Sequence, residues 1–234
     1  MTMNVTSAIV LAGGLGTRLR SVVSDLPKPM APIGSRPFLE HQLDYWIDQG
    51  VNRFVLSVGY RYEAIIDHFG SSYKGADLDY AIEKEPLGTG GGLLLAAEKI
   101  DHHNPFLLLN GDTYFEVDLK VLNEFSLKNN ADWCFSLFRA NEEGRYLGME
   151  VSAEGRITSL KSGHSGWANG GVYWVHPDAL NSGKFAVGDN VSLEDDIFPD
   201  GLASRQRFFG VKFTGAFIDI GVPGDYQRAP TLLK

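Results

Sequence analysis

The residues best suited to chemistry in this 234-residue chain stand near its beginning. Leu11-Ala12-Gly13-Gly14-Leu15-Gly16-Thr17-Arg18-Leu19 places three glycines within four positions, directly after an apolar run. Glycine backbone turns sharply and lets an anion approach closely, and successive N–H groups can converge on phosphate oxygens. Arg18 adds a planar fork of donors that suits a polyphosphate. Further on, Pro27-Lys28-Pro29 stiffens the backbone on both sides of a lysine, which equips Lys28 to hold a second phosphate. The plain alternatives are a glycine turn with no ligand and a solvated lysine in a proline turn.

Two other phosphate loops do not fit. A Walker A loop needs Gly-x-x-x-x-Gly-Lys-Ser/Thr, and no segment has it. A dinucleotide fingerprint needs a third glycine where Leu19 stands, and an acid at the end of the second strand, where the chain has Gly59. A nicotinamide-dependent reductase is therefore disfavoured.

Carboxylates supply the second kind of chemistry. Asp112 follows a buried apolar run and a glycine in Asn110-Gly111-Asp112, and Asp219 lies in the late run Phe217-Ile218-Asp219-Ile220. Mg²⁺ prefers oxygen ligands and takes one or two carboxylates from protein. Spacing alone does not pair the two, and each could instead be satisfied by a turn amide. Glu83 and Glu85 precede Leu87-Gly88-Thr89-Gly90-Gly91-Gly92, a loop opening a helix, whose glycines would let a flat base lie against backbone. A carboxylate only accepts hydrogen bonds. It matches the adjacent N1–H and 2-amino donors of guanine better than the edges of adenine or uracil. Glu83 is preferred over Glu85; a solvated charge cluster is the alternative.

Taken in order, these segments resemble the sugar-1-phosphate nucleotidyltransferases. The likeness rests on Gly13–Leu19, Pro27-Lys28-Pro29, Glu83–Gly91, Asn110-Gly111-Asp112, Asn169-Gly170-Gly171-Val172-Tyr173 and Phe217–Gly221, and it spans nearly the whole chain. Lys28–Ile33 and the short length are most similar to its bacterial D-glycero-α-D-manno-heptose 1-phosphate guanylyltransferase branch. The resemblance implies a nucleoside triphosphate, GTP by the Glu83 argument, and a sugar 1-phosphate as partners. It assigns catalysis to Arg18, Lys28 and Asp112, and Mg²⁺ to Asp112 and Asp219. Nucleotide contacts fall on Leu11, Ala12, Gly13, Gly14, Gly16, Thr17, Glu83, Pro86, Gly88, Thr89 and Gly111. Sugar-phosphate contacts fall on Lys161, Asn169 and Gly171. Many members carry an acid before that lysine; here the pair is Leu160-Lys161. The rival readings are a uridylyl- or other nucleotidyltransferase acting on a hexose or muramic-type phosphate, and a non-catalytic sugar-nucleotide sensor.

The elements that must position these residues begin with strand–helix repeats. Ala8–Ala12, Phe54–Val58, Leu78–Ile82 and Phe106–Leu109 read as buried strands. Helices are expected from Pro37 to Gly50, over Tyr62–Phe69 and over Leu93–Ile100. The second half reads as a hairpin of Arg145–Val151 and Arg156–Leu160, then a strand over Trp167–Val175 and a helix start at Pro177. A capping box at Ser192–Asp195, strands over Arg207–Phe213 and Ala216–Ile220, and a last helix from Pro223 follow. The expectation is a Rossmann-like three-layer α/β/α sandwich with a mixed, mainly parallel central sheet and antiparallel additions in the C-terminal half. It is one domain over 1–234, with a nucleotide half (1–115) and a sugar-phosphate half (116–234). Ligands in such sheets bind beyond the carboxyl ends of the strands.

Composition bounds the function. With 21 Lys+Arg against 29 Asp+Glu the net charge is −8 and no basic block occurs, which argues against nucleic-acid binding. No apolar run reaches the roughly 18 residues of a membrane helix. The N-terminal residues lack the basic start of a signal peptide, so a cytoplasmic protein with no membrane partner is expected. Self-association into a homo-oligomer is left open. The single cysteine, Cys134, reads as a buried small hydrophobe. His102-His103 read as exposed, and Glu194-Asp195-Asp196 as a charged first helical turn, with a further metal site there the weaker alternative.

Overall fold

The computed structural model describes residues 5–14, 16, 19, 26–140, 146–162, 166–181 and 183–233, with positions 161 and 162 described in their backbone only. The apolar run after the N-terminus forms β1 (Ser7–Leu11). A short hairpin, β2 (Pro32–Ile33) and β3 (Arg36–Pro37), leads into α1 (Phe38–Ile47). Then come β4 (Arg53–Val58), α2 (Glu63–Phe69), β5 (Ser72–Tyr73), β6 (Ala76–Ile82), α3 (Gly88–Ala97) and β7 (Phe106–Asn110). The second half holds β8 (Thr113–Phe115), α4 (Leu119–Lys128), β9 (Trp133–Arg139), β10 (Leu147–Val151), β11 (Ile157–Ser162) and β12 (Trp167–Val175). It closes with α5 (Phe198–Ala203), β13 (Phe208–Lys212), β14 (Phe217–Asp219) and α6 (Pro223–Leu232).

Among the described residues, ten strands form one sheet whose spine runs β11-β10-β12-β7-β1-β4-β6-β5. The strands β7, β1, β4 and β6 run parallel. Beyond them β12 joins β7 antiparallel, and β10 and β11 extend that edge as an antiparallel hairpin. Beside β12, the pair β9–β13 is parallel, a pairing the sequence pattern did not announce. Alternate strand residues face opposite sides, as the two-residue strand period requires. Val10, Leu56 and Leu109 face a core shared with Leu43 of α1, Ile65 of α2 and Leu122 of α4. Ile9, Val55 and Leu108 face Leu93 of α3 and Phe198 of α5. The result is a Rossmann-like α/β/α arrangement with a mixed sheet. Cys134 sits fully buried in it, and loss of water pushes its thiol up to about 12.

The order β7-β1-β4 fixes where a ligand can sit. After β1 the chain crosses to β4 and β6 on one side, then returns to β7 on the other. The crevice opens where the direction reverses, at the carboxyl ends of β1 and β7. Leu11 and Asn110 are register partners there. A third apolar cluster holds the C-terminus against this end: Ile218, Ile220 and Ala229 pack on Ala31, Ile33 and Phe38. Tyr226 of α6 donates its hydroxyl to Pro32 O at 2.7 Å.

Three elements differ from their sequence patterns. α3 begins at Gly88, so its glycines lie inside the helix and not in a loop before it. The segment from Pro177 makes one 3₁₀ turn, Pro177–Leu180, and goes no further. At Ser192 the side chain accepts from Asp195 N, but the acid that reaches back to Ser192 N is Asp196, at 2.8 Å. The turn Leu193–Ile197 is a wide π turn, and its extra residue moves the reciprocating carboxylate one position along.

Candidate functional site

A cavity of about 320 Å³ opens at the predicted crevice. The glycine segment after β1 forms one wall, with Leu11, Ala12, Gly13 and Gly14 in it. Asn110, Gly111 and Asp112 after β7 form the opposite wall, and Lys28, Glu83, Pro86, Gly88 and Thr89 complete it. Pro29 also lines it, a residue quoted in the lysine motif but not singled out. Gly16 adopts φ +60 with Lys28 Cβ 3.5 Å from where its own Cβ would lie, so the loop and the lysine are neighbours. Thr17 and Arg18 lie outside the described residues.

Glycine at 111 answers a close approach. A Cβ there would lie 2.4 Å from Leu11 O, while its N–H donates to the same carbonyl at 3.0 Å. The ends of β1 and β7 are thereby locked together, and Asp112 emerges at the cavity wall. Immediately after it, β8 pairs antiparallel with β14, which sets Asp219 opposite Thr113. Ile220 N donates to Asp112 O at 2.9 Å. Two carboxylates far apart in sequence thus become neighbours through a three-residue ribbon.

Gly221 marks how near they are. From the position a Cβ would occupy there, Asp219 Oδ1 is 2.6 Å away, Lys28 Nζ 3.4 Å and Asp112 Oδ2 3.5 Å. Lys28 Nζ itself stands 2.8 Å from Asp112 Oδ2, with the lysine side chain 12% exposed. This donor set fits a hard divalent cation such as Mg²⁺, which takes few protein carboxylates and completes its shell with phosphate oxygens and water. Among the described residues no cluster of three or more His, Cys, Asp or Glu side chains offers a cage built from protein alone. That includes Glu194-Asp195-Asp196, so the weaker metal alternative there finds no support.

Glu83 reaches the cavity from the end of β6. Its Oε1 accepts from Ser57 Oγ at 2.9 Å and its Oε2 from Leu87 N at 3.2 Å. A Cβ on Gly13 would lie 2.3 Å from Oε1, and one on Gly92 2.9 Å. The carboxylate is clamped between two glycines and still has acceptor capacity on both oxygens. Glu85 is exposed and outside the cavity wall.

The glycines of α3 serve packing more than a flat ligand. Gly91 would place a Cβ 2.3 Å from Asp189 O, and Gly88 (φ +74) 2.5 Å from Val191 O. Gly90 N donates to Val191 O at 2.9 Å and Asn190 Nδ2 to Pro86 O at 2.8 Å. Thr89 Oγ1 accepts from Leu193 N at 2.8 Å and donates to Glu194 Oε2 at 3.2 Å. A strap from the second half therefore holds the Pro86–Gly91 wall. Sequence reading missed Ser57, Gln42 and this strap, since none carries a local pattern.

Asn169 and Gly171 do not line the cavity but stand behind its Asn110 wall. Asn169 and Gly171 sit in an irregular stretch of β12, where pairing with β9 shifts register. Gly171 has φ +70, and its Cβ position is 3.0–3.2 Å from the Asn110 side chain. Asn169 Oδ1 accepts from Gly171 N and its Nδ2 donates to Tyr173 Oη at 2.7 Å. Lys161 lies opposite Gly148 on β11, with β10 between it and β12. His102 and His103 are exposed, as expected.

The chain is similar to known proteins over nearly its whole length. The family model described as Nucleotidyl transferase matches residues 7–234. A protein of Aneurinibacillus thermoaerophilus named D-glycero-alpha-D-manno-heptose 1-phosphate guanylyltransferase is 41% identical, across 97% of this chain and 98% of its own. One of Campylobacter jejuni with the same name is 38% identical, across 94% and 97%. The crystal structure of HddC from Yersinia pseudotuberculosis superposes with a TM-score of 0.85 at 35% identity, covering 98% of this chain and 100% of that one. A second HddC structure is complexed with GMP-PN and gives a TM-score of 0.84.

Proposed function

Because the chain belongs to the nucleotidyl transferase family, we propose that it transfers a guanylyl group from GTP to D-glycero-α-D-manno-heptose 1-phosphate in the cytoplasm, releasing pyrophosphate. The observation that carries this reading is the convergence of Lys28, Asp112 and Asp219 beside the glycine loop, at the crevice between β1 and β7. The two guanylyltransferases that match nearly end to end, and the guanine-nucleotide complex of HddC, favour this base and sugar. Among the described residues no helix is long and apolar enough to cross a membrane.

The reaction is an in-line displacement. A phosphate oxygen of the sugar 1-phosphate forms a bond to the α-phosphorus of GTP, the bond from that phosphorus to the bridging oxygen breaks, and pyrophosphate departs. The attacking group is already an anion, so no side chain must activate it. Catalysis of this kind is positioning and charge neutralisation. The amides of Gly13, Gly14 and Gly16 and the Arg18 guanidinium hold the β- and γ-phosphates. Lys28 neutralises charge at the α-phosphate. Asp112 and Asp219 would hold Mg²⁺, which when bound screens the reacting phosphates. Glu83 accepts from guanine N1–H and the 2-amino group. Asn169, Gly171 and Lys161 receive the sugar phosphate.

A panel of GTP, ATP, UTP and CTP against heptose, mannose and glucose 1-phosphates, read by pyrophosphate release, tests the proposal. GTP with the heptose phosphate should give the highest kcat/KM. UTP turning over above GTP would overturn the guanine assignment, and mannose 1-phosphate above the heptose would overturn the sugar.

A further inference from the structure

One buried polar side chain reaches the site from behind without entering the cavity wall. Gln42, in the middle of α1, is 1% exposed. Its Nε2 donates to Asn110 O at 2.9 Å and to Thr113 O at 2.7 Å. Those two carbonyls bracket Gly111-Asp112. One uncharged nitrogen with two donors in a fixed plane can tie two acceptors at a set separation, which a hydroxyl with its single proton cannot.

The other half of the amide argues against a role in stability alone. Gln42 Oε1 is buried with no hydrogen-bond partner among the described residues. Leaving a buried acceptor unmade is costly. The neighbouring core positions of α1 are apolar: Leu39, Leu43 and Trp46. An amide kept there with one half unmet is there for its donors.

We infer that Gln42 is a positioning residue for Asp112. Through the rigid frame of α1 it fixes both ends of the turn that presents the carboxylate to Lys28 and Asp219. Three backbone ties already hold this turn from the sheet side: Gly111 N to Leu11 O, Ile220 N to Asp112 O, and the β8–β14 pairing. Gln42 supplies the tie from the helix side. Its catalytic consequence rests on the nucleotidyl transfer proposed above; the placement of the turn does not.

The test compares Gln42→Met, close in length but without donors, with Gln42→His, which keeps one ring N–H at similar reach. Thermal unfolding, amide hydrogen exchange of a peptide spanning 110–114, and steady-state kinetics are measured on the intact chain. Gln42→Met should melt within about 5 °C of the parent. Exchange in the 110–114 peptide should quicken about tenfold while peptides of α4 stay unchanged. The kcat should fall about 10- to 100-fold with KM for GTP nearly constant, since displacing a reacting group by about 1 Å costs that much. Gln42→His should lose less on both readouts. The inference is overturned if exchange quickens across the whole sheet, or if kcat falls only with the folded fraction, or if neither readout moves. If Gln42→Met does not fold, Gln42→His decides by the same two readouts. Should the parent chain transfer no nucleotide to any sugar phosphate, the exchange measurement alone still decides whether Gln42 holds the turn, and only the catalytic consequence falls.

Discussion

Lys28 Nζ and Asp112 Oδ2 form a 2.8 Å ion pair between the proline-bracketed turn and the end of β7. The pair is partly dry, with side-chain exposures of 12% and 30%. Removing one member leaves the other uncompensated, and in a low-dielectric site that matters more than at the surface. Asp112→Asn keeps the shape and drops the charge. It should lower kcat by about 10²–10³ or more, and Lys28→Met by about 10². Circular dichroism should show both folded. Near-normal turnover of Asp112→Asn, read by pyrophosphate release, would remove that acid from the reaction.

Gly221 is the second place where a small change should act on the acids. A Cβ there would stand 2.6 Å from Asp219 Oδ1, nearer than real Cβ atoms come to a polar oxygen, so the carboxylate must move. Gly221→Ala should cut kcat about tenfold or more while the melting temperature shifts by only a few degrees. Gly224, three residues on in α6, has no atom within 4 Å of its Cβ position. Gly224→Ala should leave activity unchanged and gain about 0.5–1 kcal/mol of stability, as alanine does in a helix. Equal kcat for the two variants would show that the space beside Asp219 is not used.

Glu83 carries the base assignment. Glu83→Gln exchanges one acceptor for a donor and should lower kcat/KM for GTP about 10- to 100-fold, the range for a hydrogen bond to a charged group. Turnover of UTP should change little. Ser57→Ala removes the hydroxyl that supports Glu83 Oε1 but keeps both acceptors. It should weaken GTP, by less than Glu83→Gln does, and leave UTP little changed. A uniform loss across bases in Glu83→Gln would mean that the carboxylate is a strut between Ser57, Leu87 and the flanking glycines and does not read guanine.

How far the sequence was readable follows from the range over which each signal acts. β1 and β7 are continuous apolar runs ending at glycine or a polar turn, and β12 is readable residue for residue from Trp167 to Val175, because a buried strand needs no partner to show its pattern. The start of α3 was hidden. Four glycines argue against helix on propensity; the strap at Asp189–Val191, pressed too close for a Cβ, explains Gly88, Gly90 and Gly91, and the approach of Ser57 and Glu83 explains Gly92. Lys28, Asp112 and Gly13–Gly16 were legible as chemistry because type and spacing are local. The meeting of Asp112 with Asp219 was not, since β8 and β14 have three residues each and carry no period. Gln42 looked like one more polar position on a helix, and only its two distant carbonyls give it meaning.

Outside the site, pH should act through Asp132 and Arg207, which join the starts of β9 and β13. Arg207 donates to Asp132 through Nη2 at 2.7 Å and Nε at 3.1 Å, and through its backbone N at 2.7 Å. Burial works to raise the carboxyl's pKa, but these hydrogen bonds together outweigh it and hold the group below the ordinary aspartate value. A carboxylate whose pKa is lowered by folding stabilises the protein above the unfolded value of about 3.9, and that stability is lost as pH falls through the folded value. Arg207 is half exposed, so the pair is worth about 1 kcal/mol. Asp132→Asn should therefore melt about 2–4 °C below the parent at pH 7 and pH 5. The gap should narrow as pH drops below about 4, where the unfolded chain begins to take up the proton, and close as the folded carboxylate is itself protonated at its lower value. Melting curves at pH 7, 5 and 3 check this, and a gap that stays constant to pH 3 would mean that the shape of the side chain holds the two strands and its charge does not.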